Sequence, residues 1–168
     1  MARLTIDASI AVKFLADEQG SEQARQFFPR LHEDGYRSDH ELTAPTIMMI
    51  ETHHVLAKKI RAKTLHPLVL SQAYPRLKQF VKFASLDVSS IEEARQISMF
   101  GKARASGAPS IYPSEYSIFN IYDCVYIAHA MALETTLVTA DVELARIARE
   151  GFSVPTILID VEALKPNN

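Results

Sequence analysis

The 168-residue chain is expected to fold as an α/β protein around a mostly parallel sheet covered on both faces. Short β-prone runs alternate with helical segments from one end to the other. Apolar residues make up 48% and charged residues 23%, the balance of an ordinary globular protein. The length suits one domain with a sizeable core, so residues 1–168 are taken as a single unit.

The elements follow in order. Leu4-Thr5-Ile6 forms a strand ending at Asp7, and Ile10, Ala11, Phe14 and Leu15 then recur at helical spacing. Ser21 to Leu31 reads as a second helix, followed by a polar loop. Leu42-Thr43-Ala44 is a short strand, and Pro45 suits the first turn of a helix reaching about Lys63. Leu68 to Phe80 is helical, with Pro75 expected to end or kink it. Val81 to Val88 alternates as a strand does. Ser89 with Glu92 makes a capping-box pattern ahead of a helix to about Arg104. Residues 101–120 turn to Gly, Pro, Ser and Tyr, and read as a surface excursion. Helical period returns from Tyr122 to Glu134. Leu137 to Ala140 is a buried strand, Val142 to Glu150 a helix with Gly151 as its C-cap, and Pro155 to Ile159 a closing strand.

Composition excludes several classes. A formal charge of −2 gives no global basic field, although a local groove stays open. Stretches free of Asp, Glu, Lys and Arg run to about ten residues, too short to span a bilayer. No apolar leader is read at the start. The lone Cys124 demands no oxidising compartment, and a cytoplasmic protein without a membrane partner is expected.

In open parallel sheets, ligands sit outside the carboxyl ends of the strands. Asp7 and Asp141 stand just past two such ends, and Asp123 opens the helix before the second. Each equally suits a helix N-cap. Glu51 lies inside the helix after Pro45, with Ile47, Met48 and Val55 at i−4, i−3 and i+4, which puts a carboxylate on an apolar stripe. Burial of that carboxylate is costly unless a cation compensates it, either a basic side chain or a metal ion. Converging carboxylates raise one another's pKa values, and a divalent cation relieves the repulsion. All-oxygen ligands select Mg²⁺ or Mn²⁺, ions that lower the pKa of bound water and neutralise charge on a phosphoryl group. Phosphodiester hydrolysis follows naturally from such a set.

These segments also resemble a known family. "TIDASIAVKFLADE" is similar to the first strand and helix of PIN domains, "LTAPTIMMIETHHVL" to the helix carrying their Glu, and "IYDCVYIAHAMALETTLVTAD" to their Tyr-Asp helix, apolar strand and Thr-x-Asp. The likeness covers essentially the whole chain and is nearest the VapC-type ribonuclease toxins of toxin–antitoxin pairs. It implies a three-layer α/β/α sandwich and a Mg²⁺- or Mn²⁺-dependent endoribonuclease leaving 5′-phosphate ends. Asp7, Glu51 and Asp123 would be metal ligands, and Asp141 a further ligand or supporting acid. The hydroxyls of Ser9 and Thr139 would orient them. RNA would be the substrate, a small cognate antitoxin the partner, and a homodimer the assembly. The chain departs from the family in its longer connection over 101–120.

The alternative is a non-catalytic domain of the same fold that binds RNA or protein. A phosphatase or receiver domain using Asp7 as phospho-acceptor lacks its companion residues, since position 9 is Ser. Lys58 to Lys63 is the densest basic run, either a solvated helix end or an RNA contact. Lys13 stands near the groove mouth. Tyr122 and Tyr126 suit base stacking or core packing. His53, His54 and His129 lack zinc-hydrolase spacing, and Cys124 has no partner base.

Overall fold

The structure is a computed structural model that describes residues 1–32, 35–105 and 120–159. Five parallel strands form the sheet in the order β5-β4-β1-β6-β7: β1 (Ala2–Ile6), β4 (His40–Pro45), β5 (Val81–Ala84), β6 (Thr136–Thr139) and β7 (Thr156–Leu158). A separate antiparallel hairpin pairs β2 (Arg30–His32) with β3 (Gly35–Arg37). The helices are α1 (Ala8–Leu15), α2 (Ser21–Arg25), α3 (Ile47–Arg61), α4 (Pro67–Phe80), α5 (Val88–Ala105), α6 (Ile121–Ala132) and α7 (Val142–Arg146), the last continued by a π-helical turn, Ile147–Gly151.

Helices α1 to α4 pack among themselves, while α5 packs on α6 and on the π-helical turn. The two groups flank the sheet, so both faces of the central strands are buried. Leu4, Ile6, Leu42, Leu137 and Val138 are at most 3% exposed, as the continuous apolar strands of a doubly covered parallel sheet require. The α/β sandwich expected from sequence is therefore the architecture found. β1 lies between β4 and β6, so the chain crosses to opposite sides of it. This switch point opens a crevice at the strands' carboxyl ends.

Several local expectations are corrected. Helix α2 stops at Arg25 because tightened bonds from Gln26, Phe27 and Phe28 to residues three back lead into Pro29, which has no N–H. Pro45 closes β4 rather than opening a helix, pairing with Ala84, and α3 starts at Ile47. Helix α4 runs through Pro75. That residue is exposed, so the Ser71 carbonyl it deprives can reach water, and buried Ala73 and Leu77 anchor the helix on either side. Strand β5 ends at Ala84, short of Val88. The cap of α5 is Asp87, not Ser89: Asp87 Oδ1 accepts the Ser90 N–H at 2.8 Å and the Ser89 hydroxyl at 2.9 Å, while Glu92 holds Arg95. Gly151 sits within the π-helical turn, and the left-handed residue beyond it is Ser153, at φ 55°. Of the 101–120 excursion, 101–105 continue α5 and 106–119 lie outside the described residues. No described helix is long and apolar enough to cross a membrane.

Candidate active site

Each sequence-predicted acid sits at the carboxyl rim of the sheet for a definable reason. β1 delivers Asp7 directly into the N-cap of α1, where its Oδ1 accepts the Ile10 N–H at 3.1 Å. β6 delivers Asp141 into the N-cap of α7, accepting the Leu144 N–H at 2.9 Å. Asp123 is not a cap; Asn120 fills that role for α6, accepting the Tyr122 N–H at 3.1 Å. Asp123 stands in the first helical turn, where its carboxylate is hydrogen-bonded by the Asn120 side chain. Because α6 crosses back before β6, its first turn lies at the same rim. Glu51 stands on the shoulder of α3, half-buried, whereas Met48, Thr52 and Leu56 form the fully buried stripe.

Asp7 is 4% exposed and tightly held. Its Oδ1 accepts the Ser9 hydroxyl at 2.6 Å and its Oδ2 the Thr139 hydroxyl at 2.6 Å. Those hydroxyl oxygens in turn accept backbone N–H groups, Ser9 from Ala140 at 2.9 Å and Thr139 from Asp141 at 2.9 Å. The network stitches the β1–α1 turn to the β6–α7 turn through one carboxylate. Glu51 accepts the hydroxyl of Tyr126, a residue one turn after Asp123 on α6. From sequence alone Tyr126 suits stacking or core packing; its i+3 spacing from Asp123 is the signal that puts both on one face of α6.

The electrostatics show that the acids feel one another. Burial pushes Asp123 up to about 7, and Asp141, Glu51 and Asp7 add to the rise in that order. Burial raises Asp7 to about 6 against the hydrogen bonds that oppose it, with Asp141 contributing. Burial also raises Glu51, with Tyr126 opposing. Four carboxyl groups distant along the chain thus share one neighbourhood. Among the described residues, none of the four forms an ion pair. Nor, among those residues, do three His, Cys, Asp or Glu side chains stand gathered as a finished metal cage. What is present is an all-oxygen donor set carrying uncompensated negative charge, and that fits a hard divalent cation. Asp7, Glu51 and Asp123 would hold it, with Asp141 beside them.

Neighbouring groups take other roles. Burial pushes the Cys124 thiol up to about 12, helped by Asp123, so it is no nucleophile. His53 and His54 are exposed, and His129 is buried against Thr43 at 3.0 Å. Tyr122 is 52% exposed and lines an apolar hollow of about 520 Å³ with Ile47, Ile50, Glu51 and His54.

Several solved structures share this fold. A chain of VapBC2 from Rickettsia felis, crystallised with a DNA fragment from its promoter, gives a TM-score of 0.55 at 12% identity, covering 93% of this chain and 98% of that one. A toxin–antitoxin complex from Klebsiella pneumoniae gives 0.56 at 11% identity, covering 94% and 98%. VapC20 from Mycobacterium tuberculosis, a sarcin–ricin-loop-cleaving toxin, gives 0.51 at 11% identity, covering 80% and 86%. No curated protein sequence matches the chain significantly. The family model for the PIN domain matches residues 4–150, nearly the full described length. With its acids set at the rim of a parallel sheet and that model spanning them all, the chain belongs to the PIN domain family.

Proposed function

We propose that this chain is a Mg²⁺- or Mn²⁺-dependent endoribonuclease and the toxin of a toxin–antitoxin pair. The supporting observation is the convergence on Asp123: burial and three other carboxylates push it up to about 7 with no cation partner among the described residues. Repulsion of that kind is retained where a metal ion offsets it. When bound, the ion supplies charge neutralisation at the phosphate and a more acidic water.

The chain's own residues do the positioning. Ser9 and Thr139 fix both oxygens of Asp7, and the Tyr126 hydroxyl fixes Glu51. Asp141 spends Oδ1 on its helix cap, which orients the rest of its carboxylate. None of these acids serves as the nucleophile; water attacks phosphorus and the 3′ oxygen leaves, giving a 5′-phosphate end. A small antitoxin as partner is supported by the kind of complex the similar structures represent. A homodimer and a cytoplasmic setting are part of the same reading.

The test is cleavage of RNA by wild type, D7N and D123N in Mg²⁺ or Mn²⁺, with growth followed on expression. Wild type is expected to cleave and arrest growth, and both variants to fall to background. Undiminished cleavage in both would overturn the proposal.

A further inference from the structure

Beside the acids lies a wall of opposite charge. Lys13 of α1 is 8% exposed, an expensive place for an ammonium group. Its Nζ donates to the Gln19 carbonyl at 2.7 Å and to Glu18 Oε1 at 3.2 Å. The turn that presents those acceptors depends on Gly20, at φ 86°; a Cβ there would meet Lys13 Cδ and Cε at 3.4 Å in a strained backbone. The second oxygen of Glu18 meets Lys59 Nζ of α3 at 2.5 Å. One carboxylate therefore answers two ammonium groups, and the trio is net positive.

The trio lines a cavity of about 370 Å³ together with Ser9 and Ala140. Those two residues belong to the acid network, since Ser9 donates to Asp7 and accepts from Ala140. A cationic pocket thus shares a wall with an anionic, metal-seeking one. A ligand that satisfies both is a polyanion with one phosphate to be cleaved and another to be held. The side chain of Lys59 is 33% exposed against 10% for Lys13, so Lys59 can meet a ligand while Lys13 supplies field from below.

We infer that Lys13 and Lys59 form a phosphate subsite gripping a non-scissile backbone phosphate of the RNA strand, which displaces Glu18 from Lys59. The identity of the ligand rests on the ribonuclease reading. Glu18 is the counter-ion that keeps the pocket neutral enough to fold when RNA is absent.

The probe is a labelled single-stranded oligoribonucleotide of mixed sequence, its binding followed by anisotropy across a salt series in Mg²⁺. A D123N background keeps the probe intact. Adding K59Q is expected to weaken binding and to lower the log–log salt slope by about 0.7, the value of one single-strand phosphate contact. K59R is expected to retain the slope, and E18Q to tighten binding severalfold. Thermal melting checks that each variant is folded; Lys59, in the last turn of α3 with a third of its side chain exposed, carries the decisive comparison of K59Q with K59R. An unchanged slope in K59Q, equal losses in K59Q and K59R, or no binding by the parent chain would overturn the inference. Failure of the ribonuclease reading is seen elsewhere, as absence of cleavage by wild type, and leaves the slopes readable.

Discussion

Tyr126 and Glu51, 75 positions apart, meet through a single hydroxyl. The contact matters because Glu51 is half-buried and no basic group is paired with it among the described residues. The phenol orients the carboxylate without cancelling its charge, which keeps Glu51 usable as a ligand. Y126F leaves the ring in the core and removes the hydroxyl, which donates to Glu51 and also meets the Ala8 backbone N–H. The expected result is a loss of about 10–100-fold in kcat/KM, the range for removing a partner that orients a metal ligand, with the melting temperature nearly unchanged. T139V should lower activity in the same way through Asp7, whose Oδ2 it would leave bare, and should also lower the melting temperature because it frees the Asp141 N–H. A variant that cleaves like wild type would remove Tyr126 or Thr139 from the positioning machinery. Asp7, Glu51, Asp123 and Asp141 were all visible as candidates in the sequence because strand ends and a carboxylate among apolar helix positions are local patterns. The Tyr126–Glu51 and Lys13–Glu18–Lys59 contacts were not visible, since each depends on how two elements pack.

At the scale of elements, the same distinction separates what could be read from what could not. β1, β4, β6 and helices α1, α3, α4 and α6 announce themselves by period and apolar content, and each is present with its ends shifted by a few residues at most. The β2–β3 hairpin does not, because three-residue strands carry too little pattern to compete with the helical spacing of Phe27, Phe28 and Leu31. Pro75 misled in the other direction: the packing of Ala73 and Leu77 outweighs one lost hydrogen bond on an exposed face. Helix α6 is joined to β4 by His129 and Thr43, paired at 3.0 Å. Burial pushes His129 down to about 4. The folded state therefore keeps it neutral where the unfolded chain protonates it. Its contribution is fully present above about 6.5 and is lost as pH falls toward 4, a change of about 3 kcal/mol. Denaturant midpoints of wild type should drop across that window, and those of H129Q should lack this component. Parallel acid limbs in the two proteins would contradict the assignment.

Across the whole molecule, the parallel sheet brings its carboxyl ends to one crevice, and the buried acids there oppose folding when ionised. Asp7 and Asp123 have folded values raised to about 6 and about 7. A raised carboxyl stabilises the fold only while protonated, so this contribution is present below the ordinary value near 3.8 and is lost as pH climbs through the folded value. For the deeply buried Asp7 the loss is about 3 kcal/mol. On the proposed reading, a divalent ion bound there would reverse that trend by preferring the ionised form, so binding should expel protons below pH 7 and strengthen above it. Calorimetric titration of Mn²⁺ into wild type, D7N and D123N, in buffers of different ionisation heat at pH 6 and pH 8, measures both effects together. Saturable binding by wild type, with proton release at pH 6 that shrinks at pH 8 and with affinity lost in both variants, is the expected result. Wild type that binds no Mn²⁺ at either pH, or variants that bind as wild type does, would contradict a shared metal site at the rim of the sheet.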